Sequence, residues 1–348
     1  MAETEDYKVP GTDFTKSDCE IKYPGGDVDG INGELAILIP ANCYDGTKTA
    51  TAADTNLVAE NIKLGVSVFS VNGTLNASYH PSSLVFSEVL PAGAANKNWR
   101  CVSSDSDGSN LIAGVYGGRL YTSLDGGANW TERKPAGDAN KNWYCVASDS
   151  DGSNLIAGVY AGRLYTSLDG GANWTERQPA GAANKNWRCV SSDSDGSNLI
   201  AGSIAGRLYT SLDGGANWTE RKPAGDANKD WYCAASDSDG SNLIAGVGAG
   251  RLYTSLDGGA NWTERQPAGD VPNDWYCVAS DSDGSDLIAG VYNGRLYTSL
   301  DGGANWTERQ PAGDVPKNWY CVASDSDGSD LIAGVYGGRL YTLDWMFI

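Results

Sequence analysis

Short apolar runs separated by Gly, Asp, Ser or Pro cover most of the chain, and no segment shows the period of a helix. Four such runs, at residues 143–148, 155–160, 163–167 and 173–178, each have the length of a β-strand. The set recurs every 44 residues and is marked by a Trp-x-Cys pattern at Trp99, Trp143, Trp187, Trp231, Trp275 and Trp319. Six four-stranded units at this period predict an all-β, six-bladed β-propeller over residues 81–348.

The two ends of the repeat array complement each other. The last copy stops after its third strand, and residues 84–89 occupy the register that residues 129–133 occupy as a fourth strand. We therefore expect this N-terminal strand to complete the final blade and close the ring, which removes exposed sheet edges. A linear stack with capped ends is the alternative, but it does not explain why the missing strand lies at the other end.

The turn between the third and fourth strands repeats Ser-x-Asp-x-Gly-x-x-Trp at five places. The first copy has Ser123, Asp125, Gly127 and Trp130, and the later copies have Asp169 and Trp174, Asp213 and Trp218, Asp257 and Trp262, and Asp301 and Trp306. This pattern resembles the Asp-box, or BNR repeat, of sialidase-like propellers. The resemblance implies a structural turn remote from any active site. The residue types fit, since Asp accepts backbone N–H groups, Gly allows positive φ and Trp packs beneath.

The six copies differ mainly at one end of the predicted propeller. The differences fall on the residue after each inner tryptophan and on the nearby loops, and these positions are candidate ligand-binding residues: Arg100, Tyr144, Arg188, Tyr232, Tyr276, Tyr320, Tyr116, Tyr160, Tyr292, Asn293 and Tyr336. Tyr, Arg and Asn are typical of recognition surfaces. Neutral drift in surface loops explains the same variation equally well.

One arginine per copy lies in an identical Gly-Arg-Leu-Tyr setting: Arg119, Arg163, Arg207, Arg251, Arg295 and Arg339. A sialidase-like active site would hold a carboxylate with arginines, but it takes its groups from unlike contexts in different blades. Identical groups do not form the asymmetric set that catalysis needs. We therefore expect no enzyme and no catalytic residues, and we expect these arginines to form salt bridges between blades. A sialidase-like glycoside hydrolase stays as an alternative.

Metal binding has weak support in the sequence. The repeated Asp-Ser-Asp-Gly-Ser string, first at Asp105, partly matches a calcium loop but lacks the later bidentate Glu. The only histidine is His80, and one cysteine per blade recurs at the repeat period: Cys101, Cys145, Cys189, Cys233, Cys277 and Cys321. We expect these cysteines to be small buried fillers in a protein folded under reducing conditions, with no metal and no cofactor. Whether Cys19 and Cys43 pair is open.

Residues 1–80 lack the repeat and are expected to form an attachment domain, with a subdivision near residue 48 left open. Residues 61–74 read Asn-Ile-Lys-Leu-Gly-Val-Ser-Val-Phe-Ser-Val-Asn-Gly-Thr. This segment is similar to one common in phage tail and fibre-associated proteins, which usually has Gly in place of Ser70, and the resemblance implies a tail-like particle. The alternation predicts a strand over residues 66–71, and residues 76–83 are expected to be a linker.

Charge and hydropathy limit the kinds of partner that the chain is expected to bind. The chain has 25 basic and 44 acidic residues, a net charge of −19, which excludes nonspecific nucleic-acid binding. Its longest apolar run, residues 35–39, is too short to span a membrane, and its acidic start predicts no secretory signal.

Together these features predict a virion structural protein that folds in the cytoplasm of the producing cell and works on an extracellular particle. Its N-terminal domain would bind other particle proteins, and its propeller would bind a host-surface glycan or protein without catalysis. A passive decoration or spacer module is a further alternative, and assembly as a homo-oligomer is open.

Overall fold

The computed structural model describes residues 67–68, 71–72 and 87–343. These residues form strands, turns and connecting segments without any helix, so this part of the chain contains no membrane-spanning helix. Contacts divide the chain into two units, Met1–Ser87 and Glu88–Ile348.

Each copy of the repeat forms an antiparallel sheet, here called blades 1 to 6, whose strands pair in chain order. Blade 1 contains Trp99–Ser104, Leu111–Gly118, Leu120–Ser123 and Thr131–Arg133. Blade 2 contains Lys141–Ser148, Leu155–Val159, Leu164–Ser167 and Thr175–Arg177. Blade 3 contains Asn186–Ser192, Leu199–Ile204, Leu208–Ser211 and Thr219–Arg221.

Blades 4 and 5 repeat this order, and blade 6 has three strands within the described residues. Blade 4 contains Trp231–Ser236, Leu243–Val247, Leu252–Ser255 and Thr263–Arg265. Blade 5 contains Trp275–Ser280, Leu287–Val291, Leu296–Ser299 and Thr307–Arg309. Blade 6 contains Trp319–Ser324, Leu331–Val335 and Leu340–Leu343. The predicted all-β propeller architecture is confirmed.

In blades 2 to 5 the second strand is buried on both faces, because a neighbouring blade packs against each side of it. In blade 2 every residue of Leu155–Val159 is buried, whereas Ile332 in the second strand of blade 6 is 40% exposed. Its glycine is required by this packing, since a Cβ on Gly158 would lie 2.5 Å from the Sγ of Cys145 and 3.1 Å from the Cβ of Trp187. The Leu-Ile-Ala-Gly-Val run therefore brings the tryptophan of the next blade close to the sheet.

The hydrophobic core lies between the blades. Ile112 and Leu120 of blade 1 pack with Trp143, Leu155 and Tyr165 of blade 2, and equivalent clusters follow along the array. In each cluster, the isoleucine and leucine of one blade contact the tryptophan of the next blade. Since a single blade buries little apolar surface alone, each blade depends on its neighbours for stability.

The cysteines of the first strands are part of this core. Cys145, Cys189, Cys233 and Cys277 are buried free thiols. Burial raises the pKa of Cys189 to about 12, so its thiol stays neutral and unreactive near neutral pH. The expected role as small buried fillers is found at these four positions. Cys101 is half-buried and packs against the core between blades 1 and 2, whereas Cys321 of blade 6 is exposed.

The seam between blades 6 and 1 differs from the other interfaces. Residues 84–86 of the expected closing strand lie outside the described residues, and residues 87–90 pair with no strand. The side chain of Leu340 in blade 6 is 70% exposed, whereas its counterparts Leu120 and Leu164 are fully buried against the tryptophan of the next blade. Trp99 of blade 1 is 41% exposed, so among the described residues blades 6 and 1 pack less closely than the other neighbouring blades.

Within the N-terminal unit, the structure describes residues 67–68, 71–72 and 87. Ser67–Val68 and Val71–Asn72 form an antiparallel pair in which Val68 lies opposite Val71. The single strand predicted over residues 66–71 is therefore wrong, since this pairing requires the chain to reverse between the two segments. The other features noted for residues 1–80, including the apolar run at 35–39, His80, Cys19 and Cys43, lie outside the described residues.

Candidate functional site

The five Ser-x-Asp-x-Gly-x-x-Trp turns bind their own backbone. The Oγ of Ser123 donates to Asp125 at 2.8 Å and accepts the N–H of Gly127 at 2.9 Å. The other contacts of Asp125 are with Asn129, whose backbone N–H and side-chain amide donate to its two carboxylate oxygens at 2.8 and 2.7 Å. The indole N–H of Trp130 donates to the carbonyl of Gly127. These hydrogen bonds lower the pKa of the Asp125 carboxyl, the backbone N–H of Asn129 most of all.

The same contacts recur in the other four turns, at Asp169, Asp213, Asp257 and Asp301. Both oxygens of each carboxylate are used inside the turn. This geometry agrees with the structural role that the resemblance implied for these residues.

The six residues that follow the inner tryptophans meet on the axis of the propeller. We call Arg100, Tyr144, Arg188, Tyr232, Tyr276 and Tyr320 the axial cluster, and all six are half-buried. The guanidinium of Arg100 donates to the hydroxyls of Tyr320, at 3.0 Å, and Tyr144. It also lies over the ring of Tyr144, with the Cζ atom 4.1 Å from the ring centroid. A side chain of blade 1 thus contacts blades 2 and 6 together.

Arg188 of blade 3 is surrounded by aromatic rings. Its Cζ atom lies 4.9 Å from the ring centroids of Tyr144 and Tyr276 and 5.4 Å from that of Tyr232. Tyr276 in turn packs on Tyr320, with ring centroids 4.7 Å apart. Contacts of this kind between cations and aromatic faces hold a charge in place while part of its water is removed.

Four of the five other candidate residues form an outer set around the axial cluster. Tyr160, Tyr292 and Tyr336 each lie 5.5–5.6 Å from the ring of the axial tyrosine in their own blade. Tyr116 lies 6.4 Å from Tyr144. Ten of the eleven candidate residues are therefore brought together on one end of the propeller as a continuous surface of aromatic and guanidinium groups.

The eleventh candidate, Asn293, is explained by its backbone. Its φ is 59°, and the equivalent residues Gly117, Ala161 and Gly337 also have positive φ. Gly and Asn are the residues that adopt this conformation most easily. The asparagine at this position follows from the turn and gives no independent sign of ligand binding.

The side chains of the axial cluster shift one another's pKa values in different directions. Burial disfavours a charge on Arg100, but the hydroxyls of Tyr320 and Tyr144 outweigh it and raise the pKa of the guanidinium. Burial also disfavours the Tyr320 phenolate, yet the hydroxyl of Tyr276 and the charges of Arg100 and Arg188 together lower the pKa of Tyr320. Burial and the hydroxyl of Tyr320 raise the pKa of Tyr276 to about 12.

Two carboxylates that the sequence analysis missed lie near Tyr232. The Oδ1 atoms of Asp230 and Asp274 each accept a backbone N–H, from Ala205 and Ala249, at 2.7 Å. Burial first, and then these two carboxylates, raise the pKa of Tyr232. The other four copies have Asn at this position, so the same comparison between copies that found the tyrosines would have found these residues.

The arginines of the Gly-Arg-Leu-Tyr motif act within a blade. The Nε of Arg119 lies 3.9 Å from Glu132 of the same blade, and its Nη1 donates to the carbonyl of Gly137 at 2.6 Å. The prediction of salt bridges between blades is therefore wrong. Strand pairing explains this, since Leu120 lies opposite Arg133 and Arg119 is thereby placed beside Glu132. These arginines hold the loop that leads to the next blade, and among the described residues Arg339 has no such partner.

The Asp-Ser-Asp-Gly loops lie at the opposite end, where residues of all six blades line a central cavity of about 300 Å³. Asp105 is buried and its Oδ2 accepts hydrogen bonds from Ser109 and Asn110. Burial raises the pKa of the equivalent Asp149, Asp193 and Asp237 carboxyls. Within the described residues, no three Asp, Glu, His or Cys side chains lie close enough together to hold a metal ion.

Comparisons with known proteins agree on the architecture. No family model and no curated protein matches the sequence. Among solved structures, an ancestral GH74 enzyme aligns with a TM-score of 0.60 at 18% identity, over 76% of this chain and 39% of its own. YCF48 bound to the D1 peptide aligns with a TM-score of 0.55 at 18% identity, over 71% of this chain and 77% of its own.

A third match is the β-propeller domain of Cps50 (Swd1) from Myceliophteria thermophila, with a TM-score of 0.56 at 15% identity over 73% of this chain and 86% of its own. This chain spans about two fifths of the GH74 enzyme that it matches. The matched proteins include an enzyme and a peptide-bound protein, and at these identities the likeness shows the fold alone. The chain is a β-propeller protein.

Proposed function

We propose that this chain is a non-catalytic structural protein of a phage or phage-like particle, whose propeller binds a host-surface glycan. The axial cluster carries this proposal. Repeats that are otherwise nearly identical differ at the positions that meet on the axis, and there they place tyrosines and two arginines. Such residues combine a flat apolar face with hydrogen-bonding groups, which suits recognition of a sugar ring bearing hydroxyls.

A neighbouring cleft offers room for a ligand. On the same end, beside blade 1, a cleft of about 360 Å³ is lined by residues that include Asn96, Asn98, Tyr116 and Asn140. Side-chain amides and a tyrosine supply both donors and acceptors, as sugar hydroxyls require. A glycan that reaches from the axis towards blade 1 would contact both the axial cluster and this cleft.

The carboxylates at this end favour binding over hydrolysis. Glycoside hydrolysis needs a pair of carboxyl groups that are free to act as acid and as nucleophile or base. Asp230 and Asp274 already accept backbone hydrogen bonds. Glu132 accepts a hydrogen bond from the hydroxyl of Tyr121 and lies beside Arg119. The glycosidase alternative would need such groups to be released from these contacts.

The particle assignment rests on the N-terminal segment. Its similarity to phage tail and fibre-associated proteins supports attachment to other particle proteins, and so a location on a virion or extracellular particle. The decoration or spacer alternative shares this location but requires no ligand on the propeller.

The proposal is tested with the full-length chain on a glycan array and on candidate host cells. The test variant combines Tyr160→Ala, Tyr292→Ala and Tyr336→Ala, which remove the outer tyrosines. The control combines Leu168→Ala, Leu212→Ala and Leu256→Ala, whose side chains are 64–65% exposed at the opposite end. We expect saturable binding that the tyrosine variant loses and the leucine variant keeps.

Other results would contradict the proposal in different ways. Binding to neither surface would favour the decoration or spacer module. Equal binding by both variants would place the ligand elsewhere on the chain. Release of sugar from the arrayed glycans with time would show a hydrolase.

A further inference from the structure

The two axial arginines lack the partners that the other arginines have. Among the described residues, no hydrogen-bond acceptor and no carboxylate lies within bonding distance of the Arg188 guanidinium, whose contacts are the three tyrosine rings. Arg100 bonds only to tyrosine hydroxyls. In contrast, Arg163 lies 3.7 Å from Glu176 and donates to the carbonyl of Gly181.

This arrangement leaves strong donors unused. A guanidinium carries five N–H donors in a fixed plane, and those of Arg188 have no hydrogen-bond acceptor among the described residues. The Arg188 side chain is half-buried, so part of its hydration is lost while part of its surface stays exposed. An incoming acceptor would therefore meet donors that are already held in position.

The two axial arginines share one tyrosine ring. The centroid of the Tyr144 ring lies 4.1 Å from the Cζ of Arg100 and 4.9 Å from the Cζ of Arg188. Two positive charges held around one ring repel each other, and an anion that contacts both relieves the repulsion. The carboxylates of Asp230 and Asp274 act on Tyr232, and among the described residues neither forms an ion pair with Arg188.

We infer that Arg100 and Arg188 form a binding site for one anionic group, a sulfate, carboxylate or phosphate, carried by an acidic glycan. The inference rests on the proposed function and names the class of glycan. Arginine binds such groups through paired N–H···O contacts, which are stronger than contacts between neutral groups. The chain has a net charge of −19, so most of its surface repels acidic ligands. Two neighbouring arginines without carboxylate partners would therefore make binding of an acidic glycan specific to this site.

The test compares oligosaccharides that share one backbone and carry a sulfate, a carboxylate, a phosphate or no acidic group. Binding is measured by calorimetry with the full-length chain, with Arg188→Gln, and with Arg188→Lys. We expect at least one acidic probe to bind at least tenfold more tightly than the neutral probe. Arg188→Gln should remove this preference, and Arg188→Lys should restore part of it, because Lys returns the charge without the planar set of donors.

The control variant is Lys222→Gln, which removes an exposed positive charge that pairs with Asp226 and lies outside both the axial cluster and the cleft beside blade 1. It should keep the preference, and circular dichroism establishes that each variant is folded. The acidic preference should also fall as salt concentration rises. The three acidic arms separate the possible sources of the anion.

Two outcomes separate this inference from the proposed function. Tight binding of the neutral probe, unchanged by Arg188→Gln, would overturn the anion site and leave glycan binding in place. If no probe binds, the glycan proposal fails. Inorganic sulfate then tests the anion site alone. Sulfate should raise the melting temperature of the unsubstituted chain more than that of Arg188→Gln. Equal shifts, or binding of an acidic peptide in place of the glycans, would overturn the inference.

Discussion

At the residue scale, a substitution in one repeat affects the others, because the equivalent side chains of the six repeats meet on the axis of the propeller. Arg100 and Arg188 are the only two of the six axial positions that are not tyrosine. Each contacts side chains from two or three other blades. One substitution in one copy therefore changes the environment of several tyrosines together.

Tyr320 provides a test at this scale. Its pKa is lowered although burial opposes the phenolate, because Tyr276 hydrogen-bonds to it and Arg100 and Arg188 lie nearby. We expect Tyr320 to be among the first tyrosines to ionise in an alkaline titration followed by ultraviolet absorbance. Tyr320→Phe should remove this early phase.

The sign of the accompanying stability change follows from linkage. The folded pKa of Tyr320 lies below its unfolded value near 10, so ionisation favours the folded state as pH rises through the folded pKa. This contribution is complete above the unfolded pKa and is lost as pH falls. Tyr320→Phe also removes the hydrogen bond from Arg100, which lowers stability at every pH, so the loss relative to the unsubstituted chain should be larger on the alkaline side. A difference that does not grow as pH rises would contradict the assignment.

At the element scale, the unit of stability is the interface between two blades rather than the blade. The tryptophan of one blade packs on the Ile and Leu of the blade before it. Within one blade, alternation along the strands places the tryptophan and the isoleucine and leucine on opposite faces of the sheet, and both faces are covered by neighbouring blades. Polar turns lie at the two open ends of the propeller, where they form the Ser-x-Asp-x-Gly-x-x-Trp turns and the variable loops.

Two tryptophans at the same repeat position should differ in importance. Trp231 is 2% exposed between blades 3 and 4, whereas Trp99 is 41% exposed at the seam. Trp231→Ala should lower the free energy of unfolding by about 3–5 kcal/mol. Trp99→Ala should lower it by roughly 1–2 kcal/mol, because less apolar surface is lost from the core. Denaturant titration measures both, and equal losses would indicate that Trp99 is buried in solution.

At the scale of the whole molecule, the seam decides whether the array is a closed ring or an open one. The carbonyl of Leu90 accepts the N–H of Gly93 at 3.0 Å, the same turn that follows the fourth strand in blade 1 at Gly137. The turn after the expected closing strand is thus already formed. Of the expected closing strand, residues 84–86 lie outside the described residues, and residues 87–89 pair with no described strand.

A proline substitution tests this pairing. If residues 84–89 form the fourth strand of blade 6, Glu88→Pro removes a ladder hydrogen bond and should lower the melting temperature by several degrees. Ser82→Pro, in the expected linker, serves as the control and should have little effect. Equal melting temperatures for the two variants, measured by calorimetry, would contradict ring closure by this strand.

The repeat, the strands and the turns were determined by the sequence itself. They depend on local signals: alternation of apolar residues at Trp143 and Cys145, and turn residues such as Asp125 and Gly127 at constant spacing. Such signals act over a few residues and are copied with each repeat. The fold class, the strand positions and the buried cysteines could therefore be predicted.

Tertiary structure decided which distant residues meet. Arg100 contacts Tyr320 across 220 positions, and no local pattern contains that information. Strand pairing turned Arg119 towards its own blade, and the pairing of Val68 with Val71 replaced one expected strand by two. Contacts between distant positions depend on how the blades pack around the axis, and that packing is set by the whole array rather than by any one repeat.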